Sequence, residues 1–289
     1  MGLLGGLFKK AKHKGYFEIE ISSISRLTNN AVKVAFDIPE KLSEKFNYAP
    51  GQYINILAEI GGKEERRSYS ICSAKDEKLA IGIKSVKNGI VSNWFNLEAQ
   101  EGTKLFISEP QGNFKIPSGA KHVATIAAGS GITPILSILK SKSNVEGMHL
   151  LYGNRSKEET MFLEEIKQMN NIKTSFFFDT NHDENAISGR IDKDNLVKFI
   201  KNDLTFLKND AFLICGPEEM ILTCIEALEF FGVAKNKIIY ELFTTPISLG
   251  VEEKKESYSG RSEVTVTLDD EDFQFTIEDG SRSILDAVE

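Results

Sequence analysis

The spacing of apolar residues changes once along this 289-residue chain, and that change limits the folds the chain can adopt. From Tyr16 to Glu109 apolar and polar residues mostly alternate, as in Phe17-Ile19-Ile21. After Pro117 a continuous apolar run, Val123–Ala128, is followed by a glycine loop and a helical pattern. Alternation predicts strands with one buried face, whereas a continuous apolar run predicts a strand covered on both faces. We therefore predict two domains of different architecture.

The first domain is predicted to be an antiparallel sandwich or barrel, because its short strands follow one another without helical crossovers. One short helix, Ile90–Leu97, interrupts the strands. The second domain alternates strands and helices, which predicts a doubly wound parallel sheet with its ligand crevice at the carboxyl ends of the strands. Its later strands are predicted at residues 149–153, 173–178, 211–215 and 237–243, and its later helices at 156–168, 192–200 and 217–231. A capping box, Ser156 with Glu159, is expected to open the first of those helices.

The two ends of the chain carry weaker patterns. Residues 1–15 contain a short apolar run and four lysines, which predicts a flexible tail, with a weak contact to a partner or membrane as the alternative. Residues 248–262 are polar and charged and are predicted to be a linker. Residues 263–289 predict a hairpin, Val264-Val266-Leu268 against Phe273-Phe275-Ile277, and a helix from about Ser283. So short a piece cannot bury a core of its own.

Charge and cysteine content exclude several classes of function. A net charge of −7 argues against nucleic acid or an anionic membrane as the main partner, so any site for an anionic cofactor must be locally basic. No apolar run is long enough to predict a membrane span. Cys72, Cys215 and Cys224 have no metal-ligand spacing, and with no secretory signal they predict a cytoplasmic protein without a metal site.

The octapeptide Arg66-Arg67-Ser68-Tyr69-Ser70-Ile71-Cys72-Ser73 is the first candidate binding motif. On a strand, alternate side chains face the same side, which suits a ligand that carries phosphate and a flat ring. Arg67 could pair bidentately with a phosphate, Tyr69 could lie against a planar heterocycle, and the Ser70 hydroxyl could bond its edge. The alternative is an ordinary edge strand with a solvated polar face.

The loop Gly129-Ser130-Gly131-Ile132-Thr133-Pro134 is the second candidate motif. A strand, a glycine loop and a helix form the layout of a dinucleotide site, because backbone N–H groups and the helix N-terminus attract a pyrophosphate. The generic G-x-G-x-x-G fingerprint is not met, since Pro134 replaces its last glycine.

The residues after the second strand of this domain bear on the choice of nucleotide. Asn154-Arg155-Ser156-Lys157 contains no acid for a ribose 2′-hydroxyl, which favours NADPH over NADH, although Ser156 could merely cap its helix. Arg190 is a second candidate for the 2′-phosphate; its alternative is a surface arginine in a loop.

These motifs together resemble the ferredoxin-NADP reductase family. Arg67-Ser68-Tyr69-Ser70 is similar to its Arg-x-Tyr-Ser/Thr signature, and Gly89-Ile90-Val91-Ser92 to its Gly-x-x-Ser. Gly112-Asn113-Phe114 resembles its Gly-x-Phe, residues 129–134 its Gly-x-Gly-x-x-Pro, and Cys215-Gly216-Pro217-Glu218 its Cys-Gly-Pro. The matches run in the family's order from about Tyr16 to Phe243.

The resemblance implies a six-stranded FAD-binding barrel over residues 16–117 and an NAD(P)-binding domain over 118–247. In the family the arginine holds the FAD pyrophosphate, the tyrosine packs on the flavin, and the hydroxyl approaches flavin N5. The family also places the nicotinamide near its Cys-Gly-Pro, so the resemblance implies Ser70 and Cys215 as the candidate catalytic residues. The implied cofactor-binding residues are Arg67, Ser68, Tyr69, Ser70, Lys84, Gly89, Val91, Ser92, Phe114, Gly129, Ser130, Gly131, Thr133, Arg155, Ser156, Arg190, Cys215, Gly216, Pro217 and Phe243.

The domain order resembles the reductase components of multicomponent oxygenases, and the motif wording is most similar to the phenylacetyl-CoA epoxidase type. Such a protein passes hydride from NADPH, or NADH, to FAD and then single electrons to an iron-sulfur centre and an oxygenase or ferredoxin-type acceptor. Residues 263–289 resemble the start of a plant-type ferredoxin domain, cut off before its C-x₄-C-x₂-C run. A 2Fe-2S cluster is therefore expected only in a longer chain. The alternatives are a general ferredoxin or flavodoxin reductase, a reductase of another oxygenase, and a non-catalytic docking scaffold.

Overall fold

The computed structural model describes residues 13–141, 145–180, 184–243, 262–268 and 271–277. Gly15–Pro246 forms one compact unit, and the chain after it belongs to a second unit. The first unit contains two six-stranded sheets, one antiparallel and one parallel. The predicted fold class, an antiparallel barrel followed by a doubly wound parallel sheet, is confirmed.

The antiparallel sheet has the strand order β4-β3-β6-β1-β2-β5. Its strands are β1 (Tyr16–Thr28), β2 (Ala31–Asp37), β3 (Tyr53–Ile60), β4 (Lys63–Ser70), β5 (Ala80–Lys84) and β6 (Lys104–Ser108). A bridge between Ile71 and Ile81 joins the two edges, so the sheet curls into a barrel. Alternate apolar residues of β1, Ile19 and Ile21, are buried inside it. Helix α1 (Ile90–Leu97) has the predicted bounds, and Phe95 buries its apolar face in the same core.

The parallel sheet has the strand order β10-β9-β8-β7-β11-β12. Its strands are β7 (His122–Ala128), β8 (Gly147–Asn154), β9 (Ile172–Phe178), β10 (Ile187–Ser188), β11 (Ala211–Cys215) and β12 (Ile238–Glu241). Helices α2 (Ile132–Lys140) and α3 (Leu163–Lys167) contribute to one buried cluster, and α4 (Lys193–Asn202) and α5 (Glu218–Phe230) contribute to another. The strand order reverses beside β7, and a doubly wound sheet binds ligands at such a switch point.

The helix predicted over residues 156–168 is much shorter in the structure. Helix α3 begins only at Leu163, and Phe162 before it has a left-handed backbone with φ of 58°. The predicted capping box does not form, because Ser156 lies well before the start of α3. Its carbonyl accepts a hydrogen bond from the Thr160 hydroxyl instead. Met161 and Phe162 are both buried, and burying adjacent side chains overrides the local helix pattern. The strand predicted at 237–243 is likewise shorter, Ile238–Glu241.

The hairpin of the second unit consists of β13 (Ser262–Leu268) and β14 (Glu271–Ile277). The two predicted strands do pair as a hairpin, but Val264 pairs with Phe275, Val266 with Phe273 and Leu268 with Glu271, so the register lies two residues from the one predicted. The predicted linker, apart from Ser262, and the predicted helix near Ser283 lie outside the described residues, as does most of the N-terminal tail. Among the helices that the structure describes, none combines the length and apolar character needed to cross a bilayer. Cytoplasmic localisation stays a prediction.

Candidate active site

Two adjoining clefts open at the switch point of the parallel sheet. The central cleft encloses about 510 Å³ between the barrel and the carboxyl ends of β7 and β11. The outer cleft encloses about 460 Å³ at the carboxyl ends of β7, β8 and β9. Lys84, Ala128, Gly129 and Pro217 line both clefts, so the two clefts adjoin along these residues. A ligand with two ends could therefore occupy both.

Most of the sequence-predicted site residues line the central cleft, although they come from both sheets. They are Arg67, Ser68, Tyr69, Ser70, Lys84, Gly89, Val91, Ser92, Gly129, Ser130, Thr133, Gly216, Pro217 and Phe243. Gly82, Val86, Ile90 and Ala128 also line it and were not predicted. Apolar side chains and a glycine carry no charge or donor, so no motif distinguishes them from ordinary core or turn residues.

Strand β4 carries the arginine motif along the edge of the barrel sheet. The Arg67 side chain is 54% exposed; one guanidinium nitrogen donates to the Arg66 carbonyl at 2.6 Å, and another lies 3.5 Å from Glu65. Tyr69 packs edge-on against Phe95 with ring centroids 6.0 Å apart, and burial raises the pKa of its hydroxyl to about 12. Ser70 is 5% exposed. β4 is thus an edge strand, yet Tyr69 and Ser70 face a cleft rather than open solvent.

The N-terminus of helix α1 is the second anion-binding feature of the central cleft. Gly89 is its N-cap residue, and no side chain caps the free N–H groups. A Cβ at Gly89 would lie 2.4 Å from both Val86 Cγ2 and Ser92 Oγ, so only glycine fits this turn. Uncapped N–H groups and the helix dipole favour a negative group there. Since Arg67 and Lys84 line the same cleft, the site is locally basic on a chain of negative net charge.

The predicted glycine loop lies at the switch point. Residues Gly129–Gly131 form a 3₁₀ turn that leads into α2, with Pro134 in the first turn of the helix. A Cβ at Gly131 would lie 2.1 Å from the Cys215 carbonyl oxygen, so glycine is required for the loop to pass the end of β11. The Tyr152 hydroxyl donates to the Gly129 carbonyl at 3.1 Å and holds the loop in place. Gly129 and Ser130 of this loop line the central cleft, and Gly129 also lines the outer cleft.

Four predicted site residues do not line either cleft: Phe114, Gly131, Ser156 and Cys215. Phe114 is buried in the core against Gly51. Cys215 is fully buried beneath the glycine loop, and burial raises the pKa of its thiol well above the usual range. A neutral thiol at this place supports the floor of the central cleft, and its predicted catalytic role stays a prediction.

The outer cleft combines two arginines with several acids. Arg190 Nε lies 2.9 Å from Asp179 Oδ2, whereas no carboxylate among the described residues lies within ion-pair distance of Arg155. The Thr180 hydroxyl donates to the Arg155 carbonyl at 2.8 Å and holds that turn. Both amide atoms of Asn154 are buried there without a hydrogen bond to the described residues. The sequence correctly shows no acid after β8, but it gives no sign that Asp179, after β9, reaches the same cleft.

Comparison with known proteins agrees with this geometry. Residues 18–116 match the family model of the oxidoreductase FAD-binding domain, and residues 125–225 match that of the oxidoreductase NAD-binding domain. The fold is that of a ferredoxin NADP+ reductase from Neisseria gonorrhoeae with bound FAD and NADP, at a TM-score of 0.69 and 20% identity. That alignment covers 80% of this chain and 99% of the other.

The fold and the two domains define an FAD-dependent NAD(P)H oxidoreductase. The chain belongs to the oxidoreductases that combine an FAD-binding and an NAD-binding domain, and it has the ferredoxin-NADP reductase fold. It is 29% identical to one of the subunits of 1,2-phenylacetyl-CoA epoxidase of Escherichia coli K12, over 94% of this chain and 80% of that protein. It is also 29% identical to the ferredoxin reductase component of 3-ketosteroid-9-alpha-monooxygenase of Mycobacterium tuberculosis, over 78% of this chain and 65% of that one.

Proposed function

We propose that this protein takes hydride from NADPH onto FAD and passes single electrons to an iron-sulfur centre that serves an oxygenase. The observation that carries the proposal is that the two clefts adjoin and share four lining residues, because a nucleotide in the outer cleft could then extend its nicotinamide end into the central cleft. When bound, FAD accepts two electrons as hydride and releases them one at a time. The polypeptide supplies binding, alignment and electrostatics.

The residues of the central cleft fit FAD. Arg67 and the uncapped N-terminus of α1 would hold the pyrophosphate, because a guanidinium fork and free N–H groups both bind phosphate oxygens. Tyr69, neutral at any physiological pH, would lie against the flavin ring. The buried Ser70 hydroxyl would bond the ring edge. Gly216, Pro217 and Phe243 would flank the nicotinamide.

The outer cleft supports NADPH, with NADH also accepted. Arg155 would bind the 2′-phosphate, since no acid among the described residues neutralises it. Arg190 is already paired with Asp179, so it has less attraction left for a phosphate. Asp179 could instead accept a hydrogen bond from a ribose hydroxyl. The preference for NADPH should therefore be smaller than two free arginines would produce.

The oxygenase acceptor is supported by the relatives and by the hairpin. The phenylacetyl-CoA epoxidase relative and the reductase of a ketosteroid monooxygenase are both components of oxygenase systems by name. The hairpin of β13 and β14 resembles the opening of a ferredoxin domain, and this chain spans 80% of the length of the Escherichia coli relative. A general ferredoxin or flavodoxin reductase is the second candidate, because its clefts would be built in the same way.

Absorbance of the purified chain tests the flavin and hydride steps together. We expect a yellow protein that bleaches when NADPH is added without oxygen and that then reduces ferricyanide. A colourless protein that fails to take up FAD would reject the proposal in favour of a docking scaffold. Adding the partner oxygenase or a ferredoxin to the reduced protein then separates the two candidate acceptors by their rates.

A further inference from the structure

Helix α2 connects the two functional halves of the molecule. Its N-terminal end follows the glycine loop of the nucleotide clefts, and its C-terminal end lies against the barrel at Glu77. Thr133, Ser137 and Lys140 are spaced i, i+4 and i+7, which places them on one face of the helix. All three contact residues of the barrel, so this face is the docking face of α2.

The first two contacts are a close packing and a buried hydrogen bond. Thr133 Cγ2 lies 2.8 Å from the position that a Cβ would take on Gly82 of β5, so this approach requires glycine. The Ser137 hydroxyl, which is fully buried, donates to the Ser73 carbonyl at 2.8 Å. Ser73 is itself held in the barrel, because its hydroxyl accepts from Ala80 N at 3.0 Å and bonds the Tyr48 hydroxyl at 2.9 Å. The acceptor for Ser137 is therefore rigid.

The third contact is an ion-pair network around Lys140. Its side chain is only 6% exposed, and Nζ lies 3.0 Å from Glu77 Oε2 of the barrel and also pairs with Glu165 of α3. Burial by itself lowers the pKa of Lys140, but its hydrogen bonds to Glu165 and Glu77 raise that pKa above the usual value. An ammonium group that is buried and paired with two carboxylates is held in place more firmly than one in an exposed ion pair. The ion pair with Glu77 joins α2 to the barrel, whereas the ion pair with Glu165 joins α2 to α3 within the parallel-sheet half.

We propose that Lys140, through Glu77, is a positioning residue that sets the approach of nicotinamide to flavin without touching either one. Lys140 lies about 10 Å along α2 from Thr133 and lines neither cleft. The residues for FAD are on the barrel and the glycine loop leads directly into α2, so the seating of α2 sets the gap between the two cofactors. Hydride transfer depends steeply on that gap, and a misplacement of about 1 Å can slow a reaction about a hundredfold. The proposal rests on the proposed function.

Two variants test the proposal, and each neutralises one of the two carboxylate partners of Lys140. Glu77→Gln removes the charge from the barrel partner of Lys140 and keeps a side-chain oxygen for Ala74 N, whereas Glu165→Gln makes the same change of charge on the partner in α3. By anaerobic stopped flow, Glu77→Gln should slow flavin reduction at saturating NADPH about tenfold, with the Kd of NADPH within about twofold of normal. Glu165→Gln should leave the rate within about twofold. Ser137→Ala, which removes the other polar anchor, should act like Glu77→Gln.

A distance measurement on the protein without cofactors tests whether the parallel-sheet half keeps its position against the barrel. All three cysteines are buried, so spin labels can be attached to Glu59→Cys on the barrel and Lys198→Cys on α4, both at exposed positions. Glu77→Gln should broaden the distance distribution between the labels, and Glu165→Gln should not. Equal effects of the two variants, or unchanged distances with Glu77→Gln, would overturn the proposal. If NADPH fails to reduce the flavin of the unmodified protein, the proposed function fails, while the distances still judge the role of Lys140.

Discussion

Cys215 and Glu241 are paired residues on the neighbouring parallel strands β11 and β12, at the end of the sheet that forms the floor of the central cleft. One carboxylate oxygen of Glu241 is buried without a hydrogen bond to the described residues. Burial raises the pKa of this carboxyl from 4.5 to about 7, and the nearby carboxylate adds to the raised pKa of the Cys215 thiol. The pair joins a neutral thiol to an acid that titrates near physiological pH.

Glu241 should make the protein less stable as pH rises. Its folded pKa is above its unfolded pKa, so the folded state binds the proton more tightly between these two values. The stabilising effect is complete below about pH 4.5 and is lost as pH rises through about 7. Glu241→Gln should remove this slope, and it should raise the free energy of unfolding at pH 8 by about 1–3 kcal/mol. Urea unfolding of both proteins from pH 5 to 8 measures it; parallel curves would contradict the assignment.

Arg67→Ala should weaken FAD binding by about tenfold to a hundredfold, because a charge-assisted hydrogen bond contributes about 1.5–3 kcal/mol. Titration of the apoprotein with FAD gives the dissociation constant. Arg66→Ala is the matched control, since Arg66 does not line the cleft and its guanidinium lies 5.2 Å from the centre of the Tyr16 ring. A similar loss in both variants would mean a general effect of charge on β4.

Arg155→Ala should lower kcat/KM for NADPH while leaving that for NADH nearly unchanged, because only NADPH carries the 2′-phosphate. Steady-state reduction of a dye with each nucleotide measures both values. Loss of both values to the same extent would show that Arg155 contacts a group common to the two nucleotides or supports the turn.

Asp179→Asn tests an acid that lines the outer cleft together with Arg155. The change releases Arg190 from its ion pair and removes a negative charge beside the nucleotide, so kcat/KM for NADPH should rise relative to that for NADH. We expect a shift in the ratio of about threefold to tenfold. Asp192→Asn provides a control, since that acid lines the outer cleft but caps helix α4. An equal shift in both variants would point to net charge rather than to Arg190.

Gly131→Ala should destabilise the protein whether or not it is loaded with cofactor. The new methyl group would collide with the Cys215 carbonyl, which belongs to β11 and cannot move away. Overpacking of this kind costs about 1–3 kcal/mol, and thermal unfolding of the apoprotein should show it. Ser130→Ala, at the neighbouring position, should unfold at nearly the normal temperature. Normal stability of Gly131→Ala would mean that the loop is looser than the contact implies.

Local patterns were sufficient to predict the architecture of the first unit. Alternating residues such as Ile19 and Ile21 bury one face of strand β1, and the apolar run 123–128 is covered on both faces. These patterns succeed because side-chain direction follows directly from backbone geometry. The sequence also predicted that the motif residues Arg67 to Ser70, Gly89 and Gly129 would share a site, and all of them line the central cleft.

What the sequence alone determined is therefore the order of strands and helices and the chemical groups available for binding. The tertiary structure decided which of those groups meet. Asp179 reaches the outer cleft because β9 ends beside β8, and Glu241 lies beside Cys215 because β12 pairs with β11. The helix predicted from Ser156 begins only after Phe162, whose ring packs against Gly82. Such contacts join residues far apart in the chain, and their energies depend on sheet register and burial, which no local pattern contains.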